Sequence, residues 1–316
     1  ASLILNICNR NLRSFNMENN IKVGAFFMLV SVTGFALMDL AVKWTTEDYS
    51  IGYVVFWRMI GGLIPLVFTI PRDRWAHLLT TSKPGLHFIR SLAGTIALFC
   101  VYASLHFLPL ATTVSLTFAS PIFSTLLSIF ILGEIVGSRR WTAIAIGFVG
   151  VLVIVNPTSS GFNFYMILPI LFCIFFSIVA ISIRKLSETE PTYLIALYFT
   201  IFGIIASLFT IPFGGWYWWP VSLFDFSMLA LVGISGGIGN LALTQAYKNA
   251  EVSIVTPLKY LSLIYGIIFG YFIWNEIPAW NTYIGAFFII VSSLTILRRE
   301  KILKKEIVPD KYVIRR

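Results

Sequence analysis

Ten long apolar stretches separated by short connections dominate this chain of 316 residues, at approximately 23–43, 52–70, 85–106, 109–132, 141–156, 164–183, 193–213, 227–247, 252–274 and 280–297. A helix needs about 20 apolar residues to cross the hydrocarbon core of a bilayer. With 58% hydrophobic and only 12% charged residues, the chain cannot clothe itself in a polar surface, since soluble domains carry about 25% charge. The reading is an all-α integral membrane protein with ten transmembrane helices. The connections are too short to hold a soluble domain, so any chemistry takes place within or beside the bilayer.

The net charge of +9 suits nucleic acid in principle, but its placement points to the membrane instead. With the N-terminus inside, all but three of the 23 basic residues fall in cytoplasmic segments or the C-terminal tail. The exceptions are Lys43, Arg58 and Lys259. This is the positive-inside pattern and gives an N-in, C-in topology. No nucleic-acid partner is expected. The run Trp216-Tyr217-Trp218-Trp219 reads as an interfacial aromatic anchor on the outside. The three cysteines Cys8, Cys100 and Cys173 show no metal-ligand spacing. No nucleotide-binding, metalloprotease or hydrolase motif appears, and GISGGIGN at 233–240 lies inside an apolar helix rather than after a strand.

One helix-ending phrase occurs twice: IFILGEIV at 129–136 and YFIWNEIP at 271–278. The same offset aligns Leu116 with Leu258, Phe118 with Tyr260 and Ser120 with Ser262. Five helices per half is an odd number, so the halves enter from opposite sides as an inverted-topology repeat. Residues 1–21 read as an N-terminal extension. The first five-helix repeat is placed at 22–186, bounded by the polar stretch around Arg184–Pro191. The second runs from helix six near 164 to 298, and 299–316 is a basic cytoplasmic tail. Gly147, Gly150, Gly285 and Ala286 read as close-packing positions.

Ionisable groups in hydrocarbon cost about 2.5–3.5 kcal/mol on the mildest scale and mark function. Lys259 stands near the middle of helix nine, suited to a substrate carboxylate or phosphate, or to pairing with Asp39. Arg58 can grip a carboxylate bidentately or brace helix ends. Asp39 and Lys43, at i and i+4, share a helix face and are expected to form an ion pair near the outer surface. A sharper role for Asp39 is an outer gate with Arg58. Glu134 and Glu276 are expected each to secure the helix that follows by placing a carboxylate at its N-terminus, with gating or coupling as the functional alternative. Tyr260 and Phe118 are expected to face each other across the repeat axis. With Tyr102, Gln245 and Tyr265 they form a candidate aromatic and polar lining for a substrate.

Gly-Glu134 followed by RRWTAIAIGFVGVLVI, and Asn-Glu276-Ile-Pro followed by IGAFFII, resemble the drug/metabolite transporter superfamily of EamA type over about residues 22–300. Asp39 and Lys43 in MDLAVKW, Phe56-Trp57-Arg58 and TPLKYLSLIYG at 256–266 resemble its bacterial S-adenosylmethionine and riboflavin carriers. Asn275 departs from the glycine usual before the second Glu. The resemblance implies a secondary carrier in a bacterial inner membrane, moving a small polar or zwitterionic metabolite by alternating access. Export of amino acids or drugs is the alternative within the fold. A membrane-embedded enzyme and a non-transporting scaffold are the alternatives outside it. No cofactor is expected. The expected partners are the substrate, lipid and a proton or coupling ion, with the chain a monomer or homodimer.

Overall fold

A computed structural model describes residues 2–71, 75, 80–132, 138–156, 163–186, 189–217, 219–249 and 256–307. It is a bundle of helices: α1 Ser2–Asp48, α2 Ile51–Val67, α3 Pro84–Phe107, α4 Leu110–Thr117, α5 Ser120–Leu132, α6 Ser138–Val155, α7 Ile167–Leu186, α8 Thr192–Leu208, α9 Leu223–Asn249, α10 Leu261–Trp274 and α11 Trp280–Ile307. Among the described residues, six apolar helical segments are long enough to cross a membrane, one of them combining α4 with the start of α5, and four shorter apolar helices accompany them. That matches the ten expected spans. The outward faces carry large apolar side chains, among them Phe26, Phe68, Ile146 and Phe287, as lipid contact requires.

The helices pack in pairs that respect the inverted repeat. α1 lies along α9, and α7 lies along α3 in the equivalent arrangement. α4 meets α10 and α6 meets α11, each helix touching its own counterpart. In this pairing α7 is the counterpart of α1, and Arg184–Pro191 joins the first two helices of the later half. One core gathers Met38, Tyr53, Met59, Tyr102 and Leu105 between α1, α2, α3 and α9. Another gathers Leu116, Ile122, Ile144, Ile154 and Ile289 around α4 to α7 and α11.

Small residues set the closest crossings. A Cβ on Gly61 would lie 2.6 Å from the Cα of Gly233, so α2 and α9 touch backbone to backbone. On Gly150 it would lie 2.7 Å from the carbonyl oxygen of Gly285, where α6 meets α11. Without a hydrophobic drive between helices in lipid, such intimate van der Waals contact supplies much of the association.

Two apolar spans are not continuous α-helices. The span expected at 109–132 stops at Thr117 and restarts at Ser120. Pro121 has no N–H to give the Thr117 carbonyl, which instead takes the Ser120 hydroxyl and the Cys173 thiol. In the other half, Thr256–Tyr260 is a 3-10 turn that passes into α10 at Leu261. Lys259 therefore lies in the irregular entry to α10 and not in mid-helix.

α10 ends in a left-handed turn at Asn275, with φ 53°. The Asn275 amide donates to the Tyr271 carbonyl at 3.0 Å, the bond of an αL helix end, and the Glu276 amide to the Gly270 carbonyl at 2.9 Å. Asparagine and glycine are the residues that adopt this conformation most readily, which explains how Asn275 serves where glycine is usual. Asn275→Gly should leave the melting temperature nearly unchanged. Asn275→Val should destabilise by about 1–2 kcal/mol, read as a lower melting temperature of the purified protein.

Candidate functional site

One polar assembly on the outer side forms around Lys43, only 6% exposed on α1. Its ammonium donates to the carbonyls of Leu105 at 3.3 Å and Leu108 at 2.9 Å, where α3 ends. It also pairs with Glu276 Oε1 at 2.9 Å. Glu276 Oε2 accepts the amide of Leu110, the first residue of α4, at 3.0 Å. A cation at a helix C-terminus and a carboxylate at a helix N-terminus both oppose the local dipole favourably, and the ion pair joins them.

Two expectations are corrected here. Lys43 pairs with Glu276 and not with Asp39, because Asp39 sits a full turn deeper, about 6 Å along the helix, while Lys43 reaches the end of α3. Glu276 secures α4 of the opposite half, and not the helix that follows it in sequence. Glu134 lies outside the described residues.

The same outer side is laced by further bonds. The Tyr49 hydroxyl donates to Asp225 at 2.9 Å and accepts the Val221 amide at 3.0 Å. Trp274 donates to Glu47 at 2.6 Å, and the Ser50 amide to Gly215 at 3.2 Å. Trp216 packs on Tyr53 and Phe56, and Trp219 stacks on Phe226. The aromatic loop thus packs over the ends of α2 and α9.

Below this layer, Arg58, Asp39 and Tyr102 converge from α2, α1 and α3. Arg58 lies within electrostatic range of both partners. Its side chain is 8% exposed and Tyr102 is fully buried. Arg58 Nε and Tyr102 Oη complete no hydrogen bond of good geometry, so the cluster has donors to spare. Sequence reasoning missed what makes room for it. A Cβ on Gly236 would meet Arg58 Nε at 2.5 Å, and one on Gly62 would meet Nη1 at 2.7 Å. The glycine run in α9, opposite the arginine, is the signal that could have shown it.

At the helix breaks, the rings of Phe118 and Tyr260 meet edge to face with centroids 5.1 Å apart. Ser293 on α11 donates to the Phe118 carbonyl at 3.1 Å. Lys259 is half-buried beside this contact, and its carbonyl takes the Ser262 hydroxyl at 2.7 Å. Tyr265, one turn along α10, shares a 3.1 Å hydrogen bond with Thr33 on α1. Gln245 is exposed near the cytoplasmic end of α9, its carbonyl accepting the Asn249 amide at 2.8 Å. Gln245 thus stands apart from the proposed lining, and the other described sequence-chosen residues fall into an outer pair, a buried cluster beneath it and an aromatic contact at the repeat axis.

A family description, the EamA-like transporter family, matches residues 22–156 and again 163–298. The chain belongs to the EamA-like transporter family. It is a multi-pass transporter of the bacterial inner membrane. Among curated EamA-like relatives, the S-adenosylmethionine uptake transporter of Rickettsia bellii is 28% identical over 280 residues, covering 88% of this chain and 94% of that protein. The pseudopaline exporter CntI of Pseudomonas aeruginosa is 27% identical over 287 residues, covering 89% and 98%. The riboflavin transporter of Rhizobium johnstonii is 27% identical over 289 residues, covering 88% and 92%. A solved crystal structure superposes with a TM-score of 0.61 at 17% identity, covering 89% of this chain and 98% of that one. It shares the fold.

Removing one member of a largely buried ion pair strands the other. Lys43→Met should therefore destabilise by about 3 kcal/mol. Adding Glu276→Gln should recover part of that loss, as measured by a double-mutant cycle of thermal melts.

Proposed function

We propose that this EamA-like protein is a secondary active transporter of a small zwitterionic metabolite, of the S-adenosylmethionine or amino-acid class. Substrate binds between the halves, at the contact of Phe118 with Tyr260. The observation that carries this reading is that contact itself: two interrupted spans, one from each half, bring their breaks together at 5.1 Å with a lysine beside them. Non-helical backbone at membrane depth is tolerated where it lines protein or a polar cavity. Paired broken helices at a repeat axis are the usual place for a carrier's site.

Lys259 precedes the N-terminus of α10, so its ammonium and the helix dipole both favour an anionic group there. A substrate carboxylate fits that charge. Phe118 and Tyr260 offer ring faces to the rest of the molecule, and a sulfonium or ammonium centre would be held there by cation–π attraction. Tyr265 and Thr33 supply hydroxyls nearby.

Alternating access requires gates. With Lys43–Glu276, Tyr49–Asp225 and Trp274–Glu47 formed, the outer side is held shut in this conformation, and their rupture would open it. Asp39, Arg58 and Tyr102 lie on the way from that gate to the repeat axis and would meet the substrate or coupling ion next. Relatives carry both uptake and export names, so direction follows from coupling and not from the site.

The test is ligand-dependent thermal stabilisation followed by uptake in proteoliposomes, using S-adenosylmethionine, amino acids and riboflavin. A ligand that binds the folded state alone raises the melting temperature by mass action. Lys259→Ala should abolish stabilisation by the active compound and reduce uptake at least about tenfold, a loss of about 1.4 kcal/mol in binding, whereas Lys259→Arg should retain most of both. Stabilisation undiminished in Lys259→Ala would remove the lysine from the site.

A further inference from the structure

The cytoplasmic half of α3 holds a second group of polar side chains that the reading above leaves unused. His87, Ser91 and Thr95 stand at i, i+4 and i+8, one face of one helix. They are 1%, 2% and 4% exposed. Both ring nitrogens of His87, the hydroxyls of Ser91 and Thr95, and Nε and Nη1 of the adjacent Arg90 are buried without a hydrogen-bond partner. Elsewhere in this bundle, helical hydroxyls satisfy themselves on their own backbone: Thr45 on Ala41, Ser115 on Ala111, Ser177 on Cys173 and Thr200 on Ala196. Ser91 and Thr95 do not.

α8 forms the opposite wall. The Arg90 guanidinium lies 4.0 Å from the ring centre of Phe199, and the His87 ring 4.4 Å from that of Tyr198. The guanidinium can lie there because residue 94 is glycine: a Cβ would approach Nη1 to 3.1 Å and the Phe199 ring to 2.9 Å. Among the described residues no carboxylate pairs with Arg90. Glu190 is within electrostatic range of His87, but its Oε1 is already taken by the Thr81 hydroxyl at 2.8 Å and by the Ser82 amide and hydroxyl, each at 3.1 Å.

The group is therefore rich in donors, carries a permanent positive charge and has no anionic partner among the described residues. Arg90 lies about 10 Å into a helix that starts at the cytoplasmic side, at about 1.5 Å per residue. A charge at such depth is expensive unless it is paired. An oxyanion suits the set: two of its oxygens match one edge of the guanidinium fork, and the two hydroxyls can donate to the same atoms.

We propose that Arg90, Ser91, Thr95 and His87 form an oxyanion-binding site on the cytoplasmic half of the bundle, taking a carboxylate or phosphate. It is built on α3 and α8, whereas the aromatic contact is built on the breaks before α5 and α10. Its natural occupant is the carboxylate of the cargo on the cytoplasmic side of its route, a clause that rests on the transport reading; the site itself does not.

The test uses the full chain in neutral phosphatidylcholine nanodiscs, melted with sodium acetate or sodium phosphate against sodium chloride at matched ionic strength. The proposal expects a saturable rise of about 3 °C or more with an oxyanion, absent in Arg90→Gln and weakened in Ser91→Ala/Thr95→Val. If stabilisation needs phosphatidylglycerol in the disc and ignores the soluble salts, with the same dependence on Arg90, the oxyanion is a lipid phosphate. Should Arg90→Gln not fold, the Ser91→Ala/Thr95→Val variant decides, with a half-saturating concentration raised at least fivefold. An equal response in wild type and variants, or none to any oxyanion, overturns the site. No stabilisation of the wild type by any cargo candidate, with the Arg90-dependent oxyanion response present, means the transport reading fails and this site stands; cargo stabilisation lost in Lys259→Ala, with no Arg90-dependent oxyanion response, means the reverse.

Discussion

Hydrocarbon offers no hydrogen bonds, and this bundle is organised by that fact. Each polar group inside it must find a partner in the protein, and most hydroxyls do so on their own helix. The exceptions are informative because each implies either a tertiary partner or a ligand. Lys43 illustrates the first case, since two carbonyls and one carboxylate absorb its charge. The oxyanion proposal at Arg90 rests on the second.

The Lys43–Glu276 assembly also ties the halves together. Glu276 comes from the end of α10, Lys43 from α1, and the ends they secure belong to α3 and α4. Four helices from both repeats thus share one largely buried ionic contact on the outer side. A contact of that kind is strong when closed and costly when half-broken, so it favours two distinct states over a continuum. Bistability of that sort is what a gate requires.

Glycine and proline supply the rest of the geometry. Gly61 and Gly233 allow α2 and α9 to touch, and Gly236 leaves room for the Arg58 side chain. Pro121 interrupts the fourth span, so that backbone carbonyls at the break are taken by Ser120, Cys173 and Ser293. Close approach and interruption are thus local consequences of residue type, but each works only because a particular partner stands opposite.

The ten apolar stretches and the twofold repetition were legible in the sequence, because the length of a span is a local property read against a fixed bilayer. The facing of Phe118 and Tyr260 was also legible, since an inverted repeat carries equivalent positions to its axis. Which charges meet was not. Asp39 and Lys43 are neighbours on one helix, yet Lys43 found Glu276, 233 positions away, and Asp39 was left with Arg58. Nor did the chain reveal that Ser91, Thr95 and Arg90 lack partners, since their spacing resembles that of hydroxyls that bond their own helix. Composition and periodicity fix where a helix lies relative to lipid; only packing sets the distances between side chains on different helices, and the interactions that carry charge through a membrane depend on those distances.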